Sequence, residues 1–288
     1  MYTWYTRYTP GSITVSDAPL RAFAIPNEAG RLANRPDRRS LWLVSLNRRV
    51  SSRIQDPAEK RRYVRGLFAG IASRYDLTND VMSLGLHRRW KRRVLEMADI
   101  RPGHRVLDLA AGTGDLARRA VERTTGPVEV VAADLTPEML RVGRDRPGPR
   151  LLGWIGADAE SLPFPDETFD RVFIGYGLRN FARLEDCLRE ILRVLAPDGR
   201  LVTLDFGKPR RAVVRSGYLA YLDVSTRIVG WALHRDSESY VYIPESLRRY
   251  PGQREIVSLM ERAGFVACRH VDLLAGMMGI NVGARSAV

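Results

Sequence analysis

Residues 105–115 read RVLDLAAGTGD, a short apolar run followed by small residues and two glycines, just before a helix-like segment. This order predicts a buried strand, a tight turn and the N-terminus of a helix, the arrangement in which an open α/β sheet meets a nucleotide-like ligand. Gly112 and Gly114 lack a Cβ, so the backbone can turn sharply there and a ligand can approach the main chain. We therefore expect both glycines to bind a cofactor.

The same stretch is compatible with two kinds of cofactor. Residues 112–117, GTGDLA, fit the dinucleotide pattern G-x-G-x-x-A, and Asp134 lies about where a ribose-binding acid belongs. However, Asp115 would repel a pyrophosphate at the helix N-terminus, and Asp108 adds a second negative charge before the turn. S-adenosylmethionine carries an ammonium and a sulfonium and no phosphate, so these carboxylates favour it over NAD. NAD, and with it an oxidoreductase, stays as the alternative.

Composition and charge exclude several classes of protein. The 288 residues include no apolar run long enough to span a membrane, and two cysteines cannot build a disulfide framework. No Cys/His cluster has metal-ligand spacing, so we expect no metal, and a reducing cytoplasm fits. The formal net charge of +13 is spread along the chain. It therefore favours attraction to acidic lipid head groups over specific nucleic-acid binding.

The chain divides by composition near residue 57. Residues 1–57 are poor in acids, contain several arginines and show no sustained period, which predicts a poorly ordered basic extension. Residues 58–288 form the predicted folded domain. It starts with a helix over 57–73, capped by Asp56 with Pro57 in its first position, and a second helix over 87–98. Residues 74–76 and 79–80 are expected to interrupt helical structure between these two helices.

Strands and helices then alternate for about 100 residues. The predicted strands are 105–110, 128–134, 151–156, 169–176 and 200–206, and the helices between them are 115–123, 137–144 and 184–195. This alternation predicts a doubly wound, mostly parallel sheet. After it, a helix over 254–263 precedes a closing antiparallel pair, 266–271 with 277–283. Residues 209–250 interrupt the pattern, helical over 213–233 and extended over 239–244, and are expected to cover the substrate at the ligand edge.

Several segments, in the correct order, resemble the menaquinone/ubiquinone-biosynthesis C-methyltransferases. Residues 75–90, YDLTNDVMSLGLHRRW, are similar to the family signature Y-D-x-M-N-x-x-x-S-x-x-x-H-x-x-W. The further matching segments are 105–115, 158–164 (DAESLPF), 176–181 (YGLRNF), 193–195 (RVL), 205–209 (DFGKP) and 242–246 (YIPES). The resemblance covers roughly residues 60–285, and the N-terminal extension lies outside it.

The resemblance implies a Rossmann-like class I methyltransferase that moves a methyl group from S-adenosylmethionine to a ring carbon of a reduced, polyprenylated quinol. Demethylmenaquinol is the usual bacterial acceptor; a quinol of the ubiquinone pathway and another small or lipid acceptor are the alternatives. The implied cofactor contacts are Thr113, Asp134, Asp158 and Ala159, with Gly175 where the family often has serine. From the residues alone, Asp158 is either an adenine ligand or a plain loop acid.

Arg179 and Asn180 follow the fourth strand, at the carboxyl edge beside the methyl donor. A quinol ring carbon becomes nucleophilic when the adjacent hydroxyl is deprotonated. We therefore expect Arg179 to lower the pKa of that hydroxyl and hold the oxyanion, while Asn180 orients it or a bridging water. The alternative for Arg179 is a structural ion pair.

The remaining expectations concern the acceptor. Tyr75, Asn79 and Tyr242 are expected to bind the substrate, and His87 and Trp90 to pack in the core. Residues 213–233, with Met277 and Ile280, are expected to form an apolar groove for the isoprenoid tail, although an ordinary core-packing helix fits them equally. Groove and net charge together predict transient contact with the inner membrane surface. A homodimer is a further expectation.

Overall fold

A seven-stranded mixed sheet forms the centre of the computed structural model, which describes residues 50–234 and 238–287. Its strands are β1 Arg105–Leu109, β2 Glu129–Asp134, β3 Gly153–Gly156, β4 Phe169–Gly175, β5 Leu195–Phe206, β6 Val266–Leu273 and β7 Met278–Ala284. Their order is β3-β2-β1-β4-β5-β7-β6; β1 to β5 pair in parallel, and β7 pairs antiparallel with both β5 and β6. The predicted doubly wound sheet with an antiparallel C-terminal pair is therefore confirmed.

Helices cover both faces of the sheet. They are α1 Pro57–Ile71, α2 Tyr75–Ser83, α3 His87–Ala98, α4 Asp115–Arg123, α5 Pro137–Arg144, α6 Leu184–Val194, α7 Ala212–His234, α8 Glu238–Arg249 and α9 Gln253–Ala263. The predicted start of α1 is confirmed, because Asp56 Oδ1 accepts a 2.7 Å hydrogen bond from Glu59 N and Pro57 occupies the first turn. No helix of the described residues is long and apolar enough to cross a membrane.

The core lies in two layers, one on each side of the sheet. Successive side chains of a strand point to opposite faces, so Leu107 and Leu109 of β1 pack in the layer that contains α6 and α9. Val106 packs in the other layer, with residues of α3 and α4. The same alternation places Asp108 on the α3/α4 side, away from the face of Leu109, and this position decides its role in the site.

Two segments differ from their predictions. The break predicted at 74–76 lies close to the observed one, since α1 ends at Ile71 and a 3-10 turn, Ala72–Arg74, precedes α2. Residues 79–80 do not interrupt the helix, because α2 runs through them, and Thr78 and Ser83 direct their hydroxyls to carbonyl oxygens one turn earlier. Residues 239–244, expected to be extended, belong to α8, with Pro244 inside the helix. Their aromatic, β-branched composition favours strand, so the sequence pattern alone does not indicate this helix. Of the predicted N-terminal extension, residues 1–49 lie outside the described residues.

Candidate active site

A cavity lies where β1, β2, β3 and β4 end at the carboxyl edge of the sheet; we call it the strand-end cavity. Five of the predicted cofactor residues line it: Gly112, Asp134, Asp158, Ala159 and Gly175. Ligands of open α/β sheets bind at this edge, where the loops diverge. The structure therefore brings together most of the cofactor site that sequence predicted, from four separate segments of the chain.

Asp134, at the end of β2, is a carboxylate of the strand-end cavity that two backbone N–H groups hold in place. Its Oδ2 accepts a hydrogen bond from Gly112 N, and its Oδ1 accepts one from Thr136 N, both at 2.8 Å. Burial raises the pKa of this carboxyl, and the backbone donors oppose the rise. Gly112 has φ +57°, and a Cβ there would meet Met139 Cε at 3.0 Å. A glycine is thus needed where the turn approaches Asp134.

Arg61 of helix α1 lines the strand-end cavity and pairs with two of its carboxylates. Arg61 Nη1 lies 3.1 Å from Asp158 Oδ2, and its Nη2 lies 2.5 Å from Glu160 Oε2. Lys60, the preceding residue, donates to the carbonyl oxygens of Arg179 and Phe181, at 3.0 and 2.6 Å. Burial, and then the charge of Arg179, lower the pKa of Lys60 to about 8. These bonds tie α1 to the loops after β3 and β4.

The structure does not place Asp108 in the strand-end cavity. Because of the alternation along β1, its carboxylate lies on the α3/α4 side, where Oδ2 accepts a 2.8 Å hydrogen bond from Ala117 N. Burial raises the pKa of Asp108 to about 8. The carboxyl is therefore neutral over most of the physiological range, and it supports the first turn of α4 rather than a cationic ligand.

Thr113, Gly114 and Asp115 also lie outside the residues that line the cavity. Thr113 Oγ1 donates to Asp76 Oδ1 at 2.9 Å, and a Cβ on Gly114 would come within 2.4 Å of the Trp154 ring. Asp115 pairs with Lys91 at 2.8 Å and with Arg119; burial raises its pKa, but these cations lower it to about 2. The carboxylates placed to favour a cationic cofactor are therefore Asp134, Asp158 and Glu160, which line the cavity.

A second, larger cavity lies beside the first and is walled mainly by helices; we call it the helix-walled cavity. Tyr75, Asn79, Tyr242 and Arg179, all predicted for substrate or catalysis, line it. The other lining residues are Leu67, Phe68, Ile71, Thr78, Met82, Ser83, Leu84, Leu86, His87, Trp90, Tyr176, Phe206, Tyr218, Tyr221, Leu222, Ile243, Leu274, Met277 and Met278. Phe68, Tyr75 and Tyr176 line both cavities, so the two meet at a shared aromatic wall.

Three buried hydrogen-bond donors on the wall of the helix-walled cavity have no partner among the described residues. They are Asn79 Nδ2, Tyr176 Oη and Arg179 Nε. A buried donor left unpaired costs about 1–3 kcal/mol, so native proteins rarely keep one without a ligand or a water to satisfy it. Three such groups belong to residues that line one largely apolar cavity, so oxygen acceptors there, from a ligand or from water, would satisfy them.

Arg179 forms a structural ion pair at the wall of the helix-walled cavity. Its Nη1 lies 2.7 Å from Asp205 Oδ1 in an ion pair that is almost completely buried, and its guanidinium lies 4.6 Å from the centre of the Phe206 ring. Burial alone lowers the pKa of Arg179, but the Asp205 carboxylate raises it above its usual value. Arg179 is thus a permanently charged, structurally paired residue of the cavity wall, and its buried Nε has no partner among the described residues.

Asn180 lines the strand-end cavity and has partners at both ends of its amide. Its Oδ1 accepts a 2.9 Å hydrogen bond from Tyr242 Oη, and its Nδ2 donates to the carbonyl oxygen of Tyr176 at 3.3 Å. Tyr176 has φ +64°, a left-handed conformation that is rare for an aromatic residue. Asn180 therefore connects α8 to the strained turn after β4, and the strained residue forms part of the wall between the cavities.

Sequence reasoning missed Arg61, Lys60 and Tyr176. Arg61 and Lys60 meet partners about 100 residues away, so no local pattern indicates them. Tyr176 was visible in the YGLRNF motif, but nothing in the motif shows that its hydroxyl lacks a partner. Of the predicted tail groove, Tyr218, Tyr221, Leu222 and Met277 line the helix-walled cavity, whereas Ile280 is fully buried in the core.

The model of the ubiE/COQ5 methyltransferase family matches residues 55–285, which include both cavities and the wall between them. The chain belongs to this family. It is 40% identical over 235 residues to the ubiquinone/menaquinone biosynthesis C-methyltransferase UbiE of Teredinibacter turnerae, a match over 80% of this chain and 94% of the relative. Its identity to the enzyme of the same name from Pseudomonas fluorescens is 43%, over 79% of this chain and 91% of the relative.

Solved structures share the fold of this ubiE/COQ5-family protein. An SAM-dependent methyltransferase from Thermotoga maritima is 18% identical and superposes with a TM-score of 0.55, covering 77% of this chain and 99% of that one. Phosphoethanolamine N-methyltransferase 2 of Haemonchus contortus, solved with S-adenosyl-L-methionine, gives a TM-score of 0.50 at 14% identity, covering 69% of this chain and 52% of that one. At these identities the comparison establishes the class I methyltransferase fold alone.

The strand-end cavity of this ubiE/COQ5-family protein suits a cationic, phosphate-free nucleoside. Its carboxylates, Asp134, Asp158 and Glu160, can accept from ribose hydroxyls, an exocyclic amine or an ammonium group. Gly112 keeps the turn close to Asp134 without a side chain in between. The described residues contain no group of three His, Cys, Asp or Glu side chains placed to hold a metal ion.

Proposed function

We propose that the protein transfers the methyl group of S-adenosylmethionine to a ring carbon of a polyprenylated quinol, and that demethylmenaquinol is the acceptor. One observation carries the proposal: a polar cavity at the strand ends and a large apolar cavity share the wall formed by Phe68, Tyr75 and Tyr176. A donor in the first and an acceptor in the second would be neighbours, as a direct transfer requires.

On the donor side, the residues in place are Gly112, Asp134, Asp158 and Ala159. Asp134 would accept from the ribose hydroxyls, since both of its oxygens are already oriented by backbone N–H groups. Asp158, held by Arg61 and by Glu160 N at 3.0 Å, would face the adenine with the backbone of Ala159 beside it. When bound there, S-adenosylmethionine supplies an electrophilic methyl group.

On the acceptor side, the three unpartnered donors and the aromatic lining support a quinol head group. Asn79 Nδ2, Tyr176 Oη and Arg179 Nε can donate to ring oxygens, and the charge of Arg179 favours the deprotonated oxygen that activates the neighbouring carbon. The flat rings of Tyr75, Trp90 and Phe206, among others, suit a bicyclic nucleus.

The mouth of the helix-walled cavity supports a long isoprenoid tail and contact with a membrane surface. Leu84 and Leu86, beside the end of α2, and Tyr221 of α7 line the cavity and are exposed as well. Exposed Val224 and Ile228 continue this apolar surface along α7, and exposed arginines of α3 flank it. We propose that the tail leaves through this mouth. The exposed apolar residues around it, which we call the apolar rim (Leu84, Leu86, Tyr221, Val224 and Ile228), would contact the surface of an anionic bilayer.

Methyl transfer to defined acceptors tests the proposed function. The purified protein is incubated with methyl-labelled S-adenosylmethionine and a chemically reduced, short-chain demethylmenaquinol, and the product is identified by mass spectrometry. We expect one methyl group on the ring carbon, no product from the oxidised quinone, and less product from a single-ring quinol. Equal or better turnover of the single-ring quinol would reassign the acceptor. No transfer to either quinol would overturn the proposed function.

Vesicle flotation tests the membrane contact separately. Leu84→Glu combined with Ile228→Glu is expected to abolish co-flotation with vesicles that contain anionic lipid, because both side chains are highly exposed at the rim. Leu152→Glu is the matched control, since Leu152 is also exposed but lies just before β3. Binding that survives the double change, or no binding of the unmodified protein, would exclude the rim as a membrane-contact surface.

A further inference from the structure

His87, the first residue of α3, is a buried imidazole on the wall of the helix-walled cavity. Its Nδ1 lies 2.8 Å from Ser83 Oγ, and the Ser83 hydroxyl donates to the carbonyl oxygen of Asn79 at 2.7 Å. Because the single hydroxyl proton of Ser83 is used in that bond, Ser83 Oγ accepts from Nδ1–H. This assignment of the tautomer from the hydrogen-bond network leaves the basic lone pair on Nε2.

Charges of both signs surround the His87 ring. Asp80 Oδ1 of α2 lies 3.6 Å from Nε2, and Arg88 holds that carboxylate with hydrogen bonds to both of its oxygens. Burial is the largest cause of a lowered pKa at His87; Lys91 and Arg88 lower it further, and Asp80 and Asp115 oppose them. His87 is therefore neutral at neutral pH, with a carboxylate nearby to stabilise its protonated form.

The other ionisable groups on this wall are protonated at neutral pH or already paired. Burial raises the pKa of Tyr75, Tyr176, Tyr218 and Tyr242, which keeps these hydroxyls as donors. Arg179 is charged and bound to Asp205. No Asp, Glu or Lys side chain lines the helix-walled cavity within the described part of the chain. Among those residues, His87 is the one side chain of this wall suited to accept a proton.

We propose that His87 is the general base of the methyl transfer and that Ser83 is the positioning residue that fixes its tautomer. The inference rests on the proposed function. The quinol O–H bond breaks and its proton goes to Nε2; the ring carbon forms a bond to the methyl carbon, and the electron pair of the S–CH₃ bond stays on sulfur. The ring C–H proton is then lost and the ring oxygen takes up a proton, which restores the aromatic quinol, so that one proton in total is released per turnover. Asp80, on the exposed side of His87, leads that proton toward solvent.

His87→Asn tests the proposal with little disturbance of packing. The Asn amide N–H can replace Nδ1–H at Ser83, but it cannot accept a proton at Nε2. We expect kcat to fall about 100-fold or more, in the range that general-base catalysis contributes, with donor affinity and melting temperature nearly unchanged. In the unmodified enzyme, kcat should fall as pH drops through the His87 pKa, below 6.5. His87→Asn should lack that acidic limb.

Two further variants separate a base from a packing residue. Asp80→Asn should move the acidic limb to lower pH, since it removes a charge that favours the imidazolium. His104→Asn is the matched control, because His104 precedes β1, lines neither cavity and also has a lowered pKa. His104→Asn should retain the wild-type kcat and the acidic limb of the pH profile. If the unmodified enzyme methylates the quinol and His87→Asn keeps its rate within twofold, the inference is overturned while the proposed function stands.

Discussion

The strand-end cavity and the helix-walled cavity differ in what builds them. The first is made of turns that follow four neighbouring strands, with backbone N–H groups orienting carboxylates such as Asp134. The second takes side chains from α1, α2, α3, α7 and α8 and from the segments around β4, β5 and β7, and most of these side chains are aromatic or aliphatic. The sheet thus provides the polar half of the site and the helices provide the apolar half.

This difference indicates where variation can occur. Strand ends are fixed by the hydrogen bonds of the whole sheet, so a donor site made from them changes little when surface helices change. The acceptor site depends on helix packing, so it can adapt to another acceptor without disturbing the fold. We propose that donor binding and acceptor specificity are thereby assigned to different layers of one domain. Arg179 is the exception, because it lines the apolar cavity and also pairs with β5.

Arg179→Ala is expected to have the largest effect and to show how far the two halves are coupled. It leaves Asp205 buried without its cation, and breaking a buried pair in this way costs about 3–5 kcal/mol of unfolding free energy. Urea unfolding measures this loss. Arg105→Ala is the control; its ion pair with Glu129 is exposed, so less than about 1 kcal/mol should be lost.

Arg179→Lys separates stability from turnover. Lysine retains the charge beside Asp205 but lacks Nε and the planar fork, so we expect most of the stability to return while quinol turnover stays low. Donor binding, measured by calorimetry, should be close to wild type. Full recovery of turnover in Arg179→Lys would show that the arginine acts only as a structural ion pair.

Asp134→Ala should damage the strand-end cavity alone. It removes the carboxylate that we expect to bind the ribose and leaves Gly112 N and Thr136 N without their acceptor. Hydrogen bonds to a charged group contribute about 1.5–3 kcal/mol each, so donor affinity should fall about 10- to 100-fold. Calorimetry with S-adenosylhomocysteine gives the affinity. Asp145→Ala, at the exposed end of α5, is the control, and unchanged affinity in Asp134→Ala would remove Asp134 from the donor site.

Sequence predicted the strand-end half of the site far better than the other half. Gly112 and Asp134 could be found because they follow predicted strands at a typical spacing, and parallel strands bring their carboxyl ends together. Asp108 shows the limit of that reasoning. The strand was predicted correctly, but the face on which each side chain lies depends on the period-two alternation, and the charge argument did not apply it.

The helix-walled half depended on the family resemblance, and physical reasoning from sequence could not have assembled it. Its key contacts join distant segments: Lys60 to the turn after β4, Tyr242 to Asn180, and Arg179 to Asp205. Composition also misassigned residues 239–244, whose Tyr and Val content favours strand while the packing of α8 makes them helical. His87 was expected to pack in the core, and only the structure shows that it reaches the cavity.

Asp108→Asn tests whether Asp108 is a buried structural carboxyl behind the strand-end cavity and not a residue that binds the methyl donor. The folded pKa of Asp108 is about 8 against 3.8 in the unfolded chain, so the native state holds an extra proton between these values. The unfolding free energy should therefore fall as pH rises through this window, by at most about 1.4 kcal/mol per pH unit. Asn cannot ionise and can still accept from Ala117 N, so the variant should be the more stable protein at pH 8. Equal slopes of stability against pH in the two proteins would contradict this assignment, and donor affinity should not change.

Tyr176→Phe should have the smallest effect of these substitutions. It should keep or slightly raise the stability of the fold while it lowers kcat/KM for the quinol. Tyr176 Oη is buried without a partner among the described residues, and burial raises its pKa well above 10. The hydroxyl therefore stays protonated and can donate a hydrogen bond to the quinol. Removing it should relieve an unsatisfied group and leave the fold equally or slightly more stable. It should also lower kcat/KM for the quinol about 2- to 10-fold, the value of one neutral hydrogen bond. Tyr250→Phe, a buried tyrosine that lines neither cavity, should not change kcat/KM. A loss of donor affinity in Tyr176→Phe would instead assign the hydroxyl to the strand-end cavity, because the Tyr176 side chain belongs to the wall that both cavities share.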